Sequence, residues 1–422
     1  MTSVGLPPLI PLEDAQERVL RDATPLPIES AGLEDAVGRA LARPVTSALT
    51  VPPWDNSAMD GFAVRSADLA AASAAAPVIL RVLGEIPAGG PADVAVAPGS
   101  ALRIMTGAMM PAGADAVVPV EDTDAQPGQA ALPKEIGIRM APHAGVNIRR
   151  AGSDVVAGAP LLPSGYAIGP AAVALLGATG NVAVDVHRRP RVAVLSTGDE
   201  LVPLGEPLGP AQIYDSNGPA LAAQARAAGA EVRRFGIAPD TLPELLGLLE
   251  EAASWADVVV LSGGVSVGTH DHVKTAFSTL GTMALWRVAI KPGRPFAFAR
   301  ARSGARDVAL FGLPGNPVSV FVTFELFVRP LLRALAGHAR LFDRPVRHAR
   351  LVEPLAGSPG RLTIARVVLE PDPTRPDGLV ARSSGGQDSH MLWSLAAANG
   401  LAFVPASLPA GADVIAWELE DR

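Results

Sequence analysis

The chain contains no cysteine. That excludes disulfides, zinc–thiolate centres and thiol nucleophiles, so any sulfur chemistry must belong to a ligand. Lysine is nearly absent as well. Of 35 basic residues, the lysines are Lys134, Lys274 and Lys291, and in so arginine-rich a chain a lysine marks a place that requires a compact ammonium. Aromatics make up 4% of residues, which leaves alanine and valine to supply most of the apolar volume. No run of basic residues occurs, and the formal net charge is −7. Nucleic acid needs a positive face to neutralise its phosphates, so no nucleic-acid partner is expected. Small anions remain open, because backbone dipoles bind them even on an acidic protein. The opening stretch has no basic segment followed by an apolar one, and no signal peptide is expected. The uncharged stretch 166–184 is broken by Gly169, Pro170, Gly177, Gly180 and Asn181. It reads as helix, turn and strand rather than a membrane span. A cytoplasmic protein without membrane contact is expected.

What is present points to several modules. At 422 residues the chain is long enough for two to four domains of about 100–200 residues each. With 42 glycines and 40 prolines, turns and strand-rich modules are favoured over helical bundles. Apolar spacing predicts short helices over 12–22 and 33–42. Strand patterns at 78–82, 102–105 and 116–120 predict a small β module. A helix near 170–177 and a strand near 182–186 follow.

From 190 to 335 the texture changes to strand–helix alternation. Strands are expected at 191–196, 231–238, 257–261, 283–290, 296–300 and 307–311. Helices are expected at 217–228, 241–253 and 271–280, with a long one at 317–335. Thr241-Leu-Pro-Glu244 has the pattern of a capping box. Such alternation argues for an open, largely parallel α/β sheet. Residues 340–422 are strand-rich again and suggest a closing β domain.

Ligands of open α/β sheets bind outside the carboxyl ends of the strands. The residues that follow each expected strand form a concentrated set. They are Thr197-Gly-Asp-Glu200, Asp240, Ser262-Gly-Gly-Val-Ser-Val-Gly268 leading to Asp271, Lys291-Pro-Gly-Arg294, and Gly312-Leu-Pro-Gly-Asn-Pro317. Each piece taken alone could be only a capped or tight turn. Together, adjacent glycines and hydroxyls suit phosphate, Lys291 suits an anion, and the start of the helix at Pro317 faces the same rim. Asp199, Glu200, Asp240 and Asp271 beside Arg287, Lys291 and Arg294 suit Mg²⁺ together with oxyanions. His270 and His272, on a loop after glycine, read as solvated. Neither the dinucleotide fingerprint nor the P-loop pattern occurs in this region. Residue chemistry thus reaches metal-assisted chemistry on a phosphorylated small molecule and leaves the substrate unnamed.

A resemblance supplies the name. Pro53-Trp-Asp-Asn-Ser-Ala-Met-Asp-Gly-Phe-Ala63, Arg103-Ile-Met-Thr-Gly-Ala108, Gly113-Ala-Asp-Ala-Val-Val118, Val194-Leu-Ser-Thr-Gly-Asp-Glu-Leu201, Ile213-Tyr-Asp-Ser-Asn217, Ile290-Lys-Pro-Gly-Arg-Pro-Phe296 and Gly312-Leu-Pro-Gly-Asn-Pro-Val-Ser319 resemble, in order and spacing, the molybdopterin molybdenumtransferases. That is the MoeA family, to which the E domain of gephyrin is similar. The resemblance implies a multidomain α/β plus β fold with a central doubly wound, mostly parallel sheet domain at 190–335. It implies an extended dimerisation domain from 1–54 and 141–189, an inserted β domain at 55–140, and a C-terminal β-barrel-like domain at 336–422. It further implies a homodimer that inserts molybdate into adenylylated molybdopterin with Mg²⁺-dependent release of AMP, in transient contact with a molybdopterin adenylyltransferase.

By motif match, Asp60 and Thr106 would reach a cleft between subunits. Glu200, Asp240 and Asp271 would hold Mg²⁺, and Arg287 and Lys291 would stabilise developing negative charge. Thr197, Asp199, Ser262, Gly263, Gly264, Ser266, Arg294, Pro314, Gly315, Asn316 and Ser389 would hold the phosphate and pterin. Arg287 stands where the resemblance expects lysine, Arg294 where lysine is common, and Phe62 where tyrosine is frequent. The rival readings are an adenylyltransferase, which needs neither the inserted nor the closing β domain, and a non-catalytic gephyrin-like scaffold, which does not need the acidic set.

Overall fold

The computed structural model describes residues 9–126, 128, 130–265 and 272–419. Its centre is a six-stranded sheet built from β1 (Arg191–Thr197), β2 (Glu231–Ala238), β3 (Val258–Ser262), β4 (Gly281–Arg287), β5 (Pro295–Ser303) and β6 (Arg306–Leu313), in the order β2-β1-β3-β6-β5-β4. The pairs β2–β1, β1–β3 and β3–β6 are parallel, and β5 runs antiparallel to both its neighbours. Helices α1 (Asn217–Ala227), α2 (Leu242–Trp255) and α3 (His272–Leu280) make the crossovers. Side chains alternate across the strands. Val192, Val194, Val258 and Val260 enter the core under α1 and the long 317–335 helix, while Ala193, Leu195, Val259 and Leu261 enter the core under α2 and α3. Every residue of β3 is buried, as a strand covered on both faces requires.

A curled five-stranded sheet comprises Ala116–Pro119, Gly61–Val64, Ser100–Ile104, Val78–Ile86 and Glu135–Ile138, in that order. Between it and the central sheet runs a strip of short antiparallel pairs. Ile28–Gly32 pairs with Ala183–His187, Val45–Thr46 with Pro160–Leu162, and Asn56–Ser57 with Ile148–Arg149. The C-terminal strands Val346–Leu351, Leu362–Pro371, Leu379–Ser383, Gly400–Val404 and Asp413–Glu418 close into a barrel, because Leu362–Pro371 also pairs with Gly400–Val404. The short strand Ile290–Lys291 joins that barrel beside Leu362 and Thr363. The fold is therefore the multidomain α/β plus β class that the sequence implies. No helix among the described residues is long and apolar enough to cross a membrane.

Three local expectations are corrected and a fourth holds. Residues 33–42 form turns and two bridges rather than a helix: Gly38 takes φ 77°, and Leu41 donates its N–H to the Tyr166 carbonyl. Tertiary pairing here outweighs the weak propensity of a short helix. The helix expected at 12–22 does form, as Leu12–Leu20, with Leu12, Ala15 and Val19 buried in the central core. Thr241 and Glu244 bond each other side chain to side chain (2.6 Å), and neither caps the backbone of α2. The long helix is interrupted by a π turn at Phe324–Val328, between Pro317–Thr323 and Arg329–Leu335.

That π turn buries Glu325 among Gln224 Nε2 (3.0 Å) and Arg344 Nε (3.0 Å), while Arg329 and Arg333 clasp Asp343. His338 lies buried against this network. Desolvation, with Arg333 and Arg329 adding to it against a smaller upward pull from Asp343, lowers its pKa to about 4. In the unfolded chain the imidazole returns to about 6.5. Between those values the unfolded state binds the proton that the folded state refuses, so stability falls as pH drops from about 6.5 to about 4. The full loss is about 3 kcal/mol. We expect His338→Leu to flatten that slope in urea unfolding measured between pH 4.5 and 7.5; an unchanged slope contradicts the assignment.

Candidate functional site

The carboxyl ends of β1, β2, β3 and β6 stop at one level, since Ser196 pairs with Ser262, Ser262 with Leu313, and Thr197 with Ala238. Their loops enclose a cleft of 730 Å³. It brings together Thr197, Glu200, Asp240, Ser262, Gly263, Gly264, Pro314, Gly315 and Asn316, nine of the residues singled out from sequence. Gly263 (φ 92°) and Gly264 (φ 65°) sit where a side chain would collide, the first with the Thr197 carbonyl and the second with Val273. Glycine is what allows β3 to turn this tightly against β1. The Thr197 hydroxyl is buried at the cleft wall and has no partner among the described residues.

The floor is tied by one buried carboxylate. Asp215 is 2% exposed and accepts from Ser196 Oγ (2.9 Å), from the Gly218 N–H (2.8 Å) and from Arg234 Nη2 (3.1 Å). Ser262 Oγ then leans on Ser196 Oγ at 3.4 Å. Asp215 thereby holds β1, β2 and the start of α1 at once. A Cβ at Gly218 would meet its Oδ2 at 2.5 Å, so this helix start also needs glycine. Asn217 Nδ2 donates to the Gly315 carbonyl (2.7 Å) and pins the Pro-Gly-Asn turn.

The barrel completes the rim. Asn316 Nδ2 donates to Ser389 Oγ (2.8 Å), and the Val318 N–H donates to the Ser389 carbonyl (3.1 Å). His390 and Leu392 line the opening. One of the free N–H groups expected at the start of the 317–335 helix is therefore already taken by Ser389, which weakens that end as an anion site.

Other expected residues stand apart. Asp199 is exposed on the turn between Thr197 and Glu200. Arg287 ends β4, and Lys291 and Arg294 lie on the connection from β4 to β5, whose short strand Ile290–Lys291 pairs with the barrel; the cleft lining includes only the adjoining Pro295. Asp60 and Thr106 belong to the curled sheet's region. There Thr106 donates both its N–H and its hydroxyl to Asp60 Oδ1, each at 2.7 Å, and these bonds, the backbone one foremost, lower the Asp60 pKa. Ser266 and Asp271 lie outside the described residues. Among the described residues, no three metal-ligating side chains cluster. Glu200 and Asp240 both line the cleft, and carboxylates are ligands that Mg²⁺ accepts when phosphate and water complete its shell.

Sequence reading did not single out Tyr214, Asp215, Asn217 or His390 as site residues. The signal lay in the Ile213–Asn217 segment, quoted only as a motif, but the partners of Asp215 come from three separate segments and have no local signature.

Three family models match the chain: the MoeA N-terminal region (domain I and II) over residues 10–180, a probable molybdopterin binding domain over 193–334, and the MoeA C-terminal region (domain IV) over 348–419. The chain is 40% identical to a molybdopterin molybdenumtransferase of Nostoc over 390 residues, covering 91% of this chain and 87% of that protein. It is 39% identical to molybdopterin molybdenumtransferase 2 of Mycobacterium tuberculosis over 396 residues, covering 92% and 94% respectively. A crystal structure of the molybdopterin biosynthesis MoeA protein from Pyrococcus horikoshii superposes with a TM-score of 0.79 at 34% identity, covering 98% of this chain and 100% of that one.

Removing the floor carboxylate strands buried donors. Asp215→Ala should cost roughly 2–4 kcal/mol in urea unfolding, because the Ser196 hydroxyl and the Gly218 N–H lose their acceptor. A loss within about 0.5 kcal/mol, as for an ordinary surface change, would show that Asp215 does not tie the floor.

Proposed function

The chain belongs to the MoeA family of molybdopterin molybdenumtransferases, enzymes of molybdenum cofactor biosynthesis, and we propose that it inserts molybdate into adenylylated molybdopterin with Mg²⁺-dependent release of AMP. The observation that supports this most is the cleft itself. Two carboxylates, Glu200 and Asp240, line the same cleft as glycine-bearing backbone at the ends of parallel strands, an arrangement suited to a phosphoanhydride on a small organic carrier.

Gly263, Gly264 and the Pro314–Asn316 turn seat the phosphate and pterin, with Thr197, Ser262, Ser266, Asp199 and Ser389 as further contacts. Glu200, Asp240 and Asp271 would hold Mg²⁺, which when bound neutralises phosphate charge at the breaking anhydride. The anhydride P–O bond breaks, AMP leaves with its phosphate, and water supplies the oxygen of the new bond to phosphorus. This cleavage proceeds with molybdate already at the dithiolene: two Mo–S bonds form, and one molybdate oxygen departs as water with the two thiol protons. Arg287, Lys291 and Arg294 gather the oxyanion on its way to the cleft. The absence of cysteine suits this chemistry, because the sulfur ligands of molybdenum come from the pterin.

Asp60 and Thr106 are locked to each other away from the cleft lining of their own chain. This supports a cleft shared in a homodimer, in which Asp60 of the partner subunit approaches the bound ligand. The adenylylated substrate requires a molybdopterin adenylyltransferase as a transient supplier, and a cytoplasmic location fits that exchange.

Purified protein with Mg²⁺ and adenylylated molybdopterin should release AMP when molybdate is added and not before. Asp240→Asn or Asp271→Asn should slow that release by about 100-fold or more with the fold intact by circular dichroism. AMP release at equal rates with and without molybdate would refute the insertion reaction.

A further inference from the structure

We propose that Arg366, a fully buried arginine of the C-terminal barrel, is a positioning residue that fixes the 384–391 loop across the mouth of the cleft. The proposal deepens the functional reading above and rests on it for the identity of the ligand.

Arg366 lies on the strand Leu362–Pro371 and is 0% exposed. Among the described residues its guanidinium forms no ion pair, and its hydrogen-bond partners are neutral. Nε donates to Ser394 Oγ (2.9 Å), and Nη2 donates to the carbonyls of Gly386 (2.6 Å) and Asp388 (3.1 Å). Nη1 is buried with no partner among the described residues. The backbone at the same position grips the loop too. Its N–H donates to Gln387 Oε1 (2.9 Å), and its carbonyl accepts from Gln387 Nε2 (2.9 Å) and from the Ser384 N–H (3.2 Å).

A buried guanidinium without an ionic partner is a costly feature for a core. The group stays charged, since arginine does not deprotonate in proteins. Burial holds its affinity for the proton below the ordinary value, against a pull from Asp388. Packing alone would be better served by methionine or leucine. What the arginine supplies instead is a rigid fork that ties two carbonyls and one hydroxyl on either side of Ser389. Ser389 in turn accepts from Asn316 and Val318, and His390 and Leu392 line the cleft. The chain of contacts therefore runs from the barrel core, through one loop, to the rim of the central sheet.

The test compares wild type, Arg366→Met, Ser389→Ala and the double variant, with two readouts. The first is hydrogen exchange of the 384–391 loop in ligand-free protein. It should rise in Arg366→Met while the barrel strands stay protected; unchanged exchange overturns the anchoring role whatever the substrate proves to be. The second is steady-state kinetics with adenylylated molybdopterin. Arg366→Met should raise KM about tenfold with kcat changed less than about threefold, and Ser389→Ala should add little in that background. Additive effects of the two substitutions, or an unaltered KM in a wild-type-active preparation, overturn the link to the cleft. A wild-type protein that does not turn over this substrate refutes the functional reading, and the exchange result still decides the anchor. Should Arg366→Met not fold, Arg366→Lys runs the same comparison, because it keeps the charge and loses the fork.

Discussion

The whole arrangement depends on the common level at which four parallel strands end. Parallel pairing fixes which residues face one another, so Thr197, Ser262 and Leu313 arrive at one edge, and the loops that follow have nowhere to go but over the same space. Slippage of any strand by one residue would turn its buried side chains to the opposite face and carry its loop off the rim. The valines and alanines that alternate between the two helical layers therefore specify the cleft as much as the polar residues lining it. Chemistry is delivered by short, glycine-bearing turns because only they stay close to the strand ends.

That edge is finished by parts brought from elsewhere. Asp215 gathers β1, β2 and α1 into one floor by accepting from Ser196, Gly218 and Arg234. The barrel contributes Ser389 and His390 by a loop that crosses the central domain. Its position is set both by the Ile290–Lys291 strand, which pairs with Leu362 and Thr363, and by the buried fork of Arg366. The curled sheet stands apart with Asp60 and Thr106 already satisfying each other, a unit suited to approach a cleft from outside.

Much of this was legible in the residues. Alternating strand and helix signals from 190 to 335 fall where the elements are, since continuous apolar runs such as 258–261 have no stable home except a strand covered on both faces. Ordering the polar residues by strand end collected nine members of the cleft without any contact information. What escaped notice had no local signature. The stretch 33–42 has helical spacing, yet Gly38 and pairing with distant backbone decide its shape. The floor role of Asp215 depends on partners from three segments, and Arg366 looks like an ordinary alternating position of a strand until its loop is folded over it. Lys291 stands on the barrel's edge, outside the cleft lining.

Where the ligand binds is the deciding question, and a crystal structure of the complex with adenylylated molybdopterin answers it directly. Density for the phosphate against Gly263 and Gly264, with the pterin bounded by the Pro314–Asn316 turn and Ser389, is the outcome this geometry requires. Ligand bound elsewhere, with the ends of β1, β3 and β6 untouched, would contradict it.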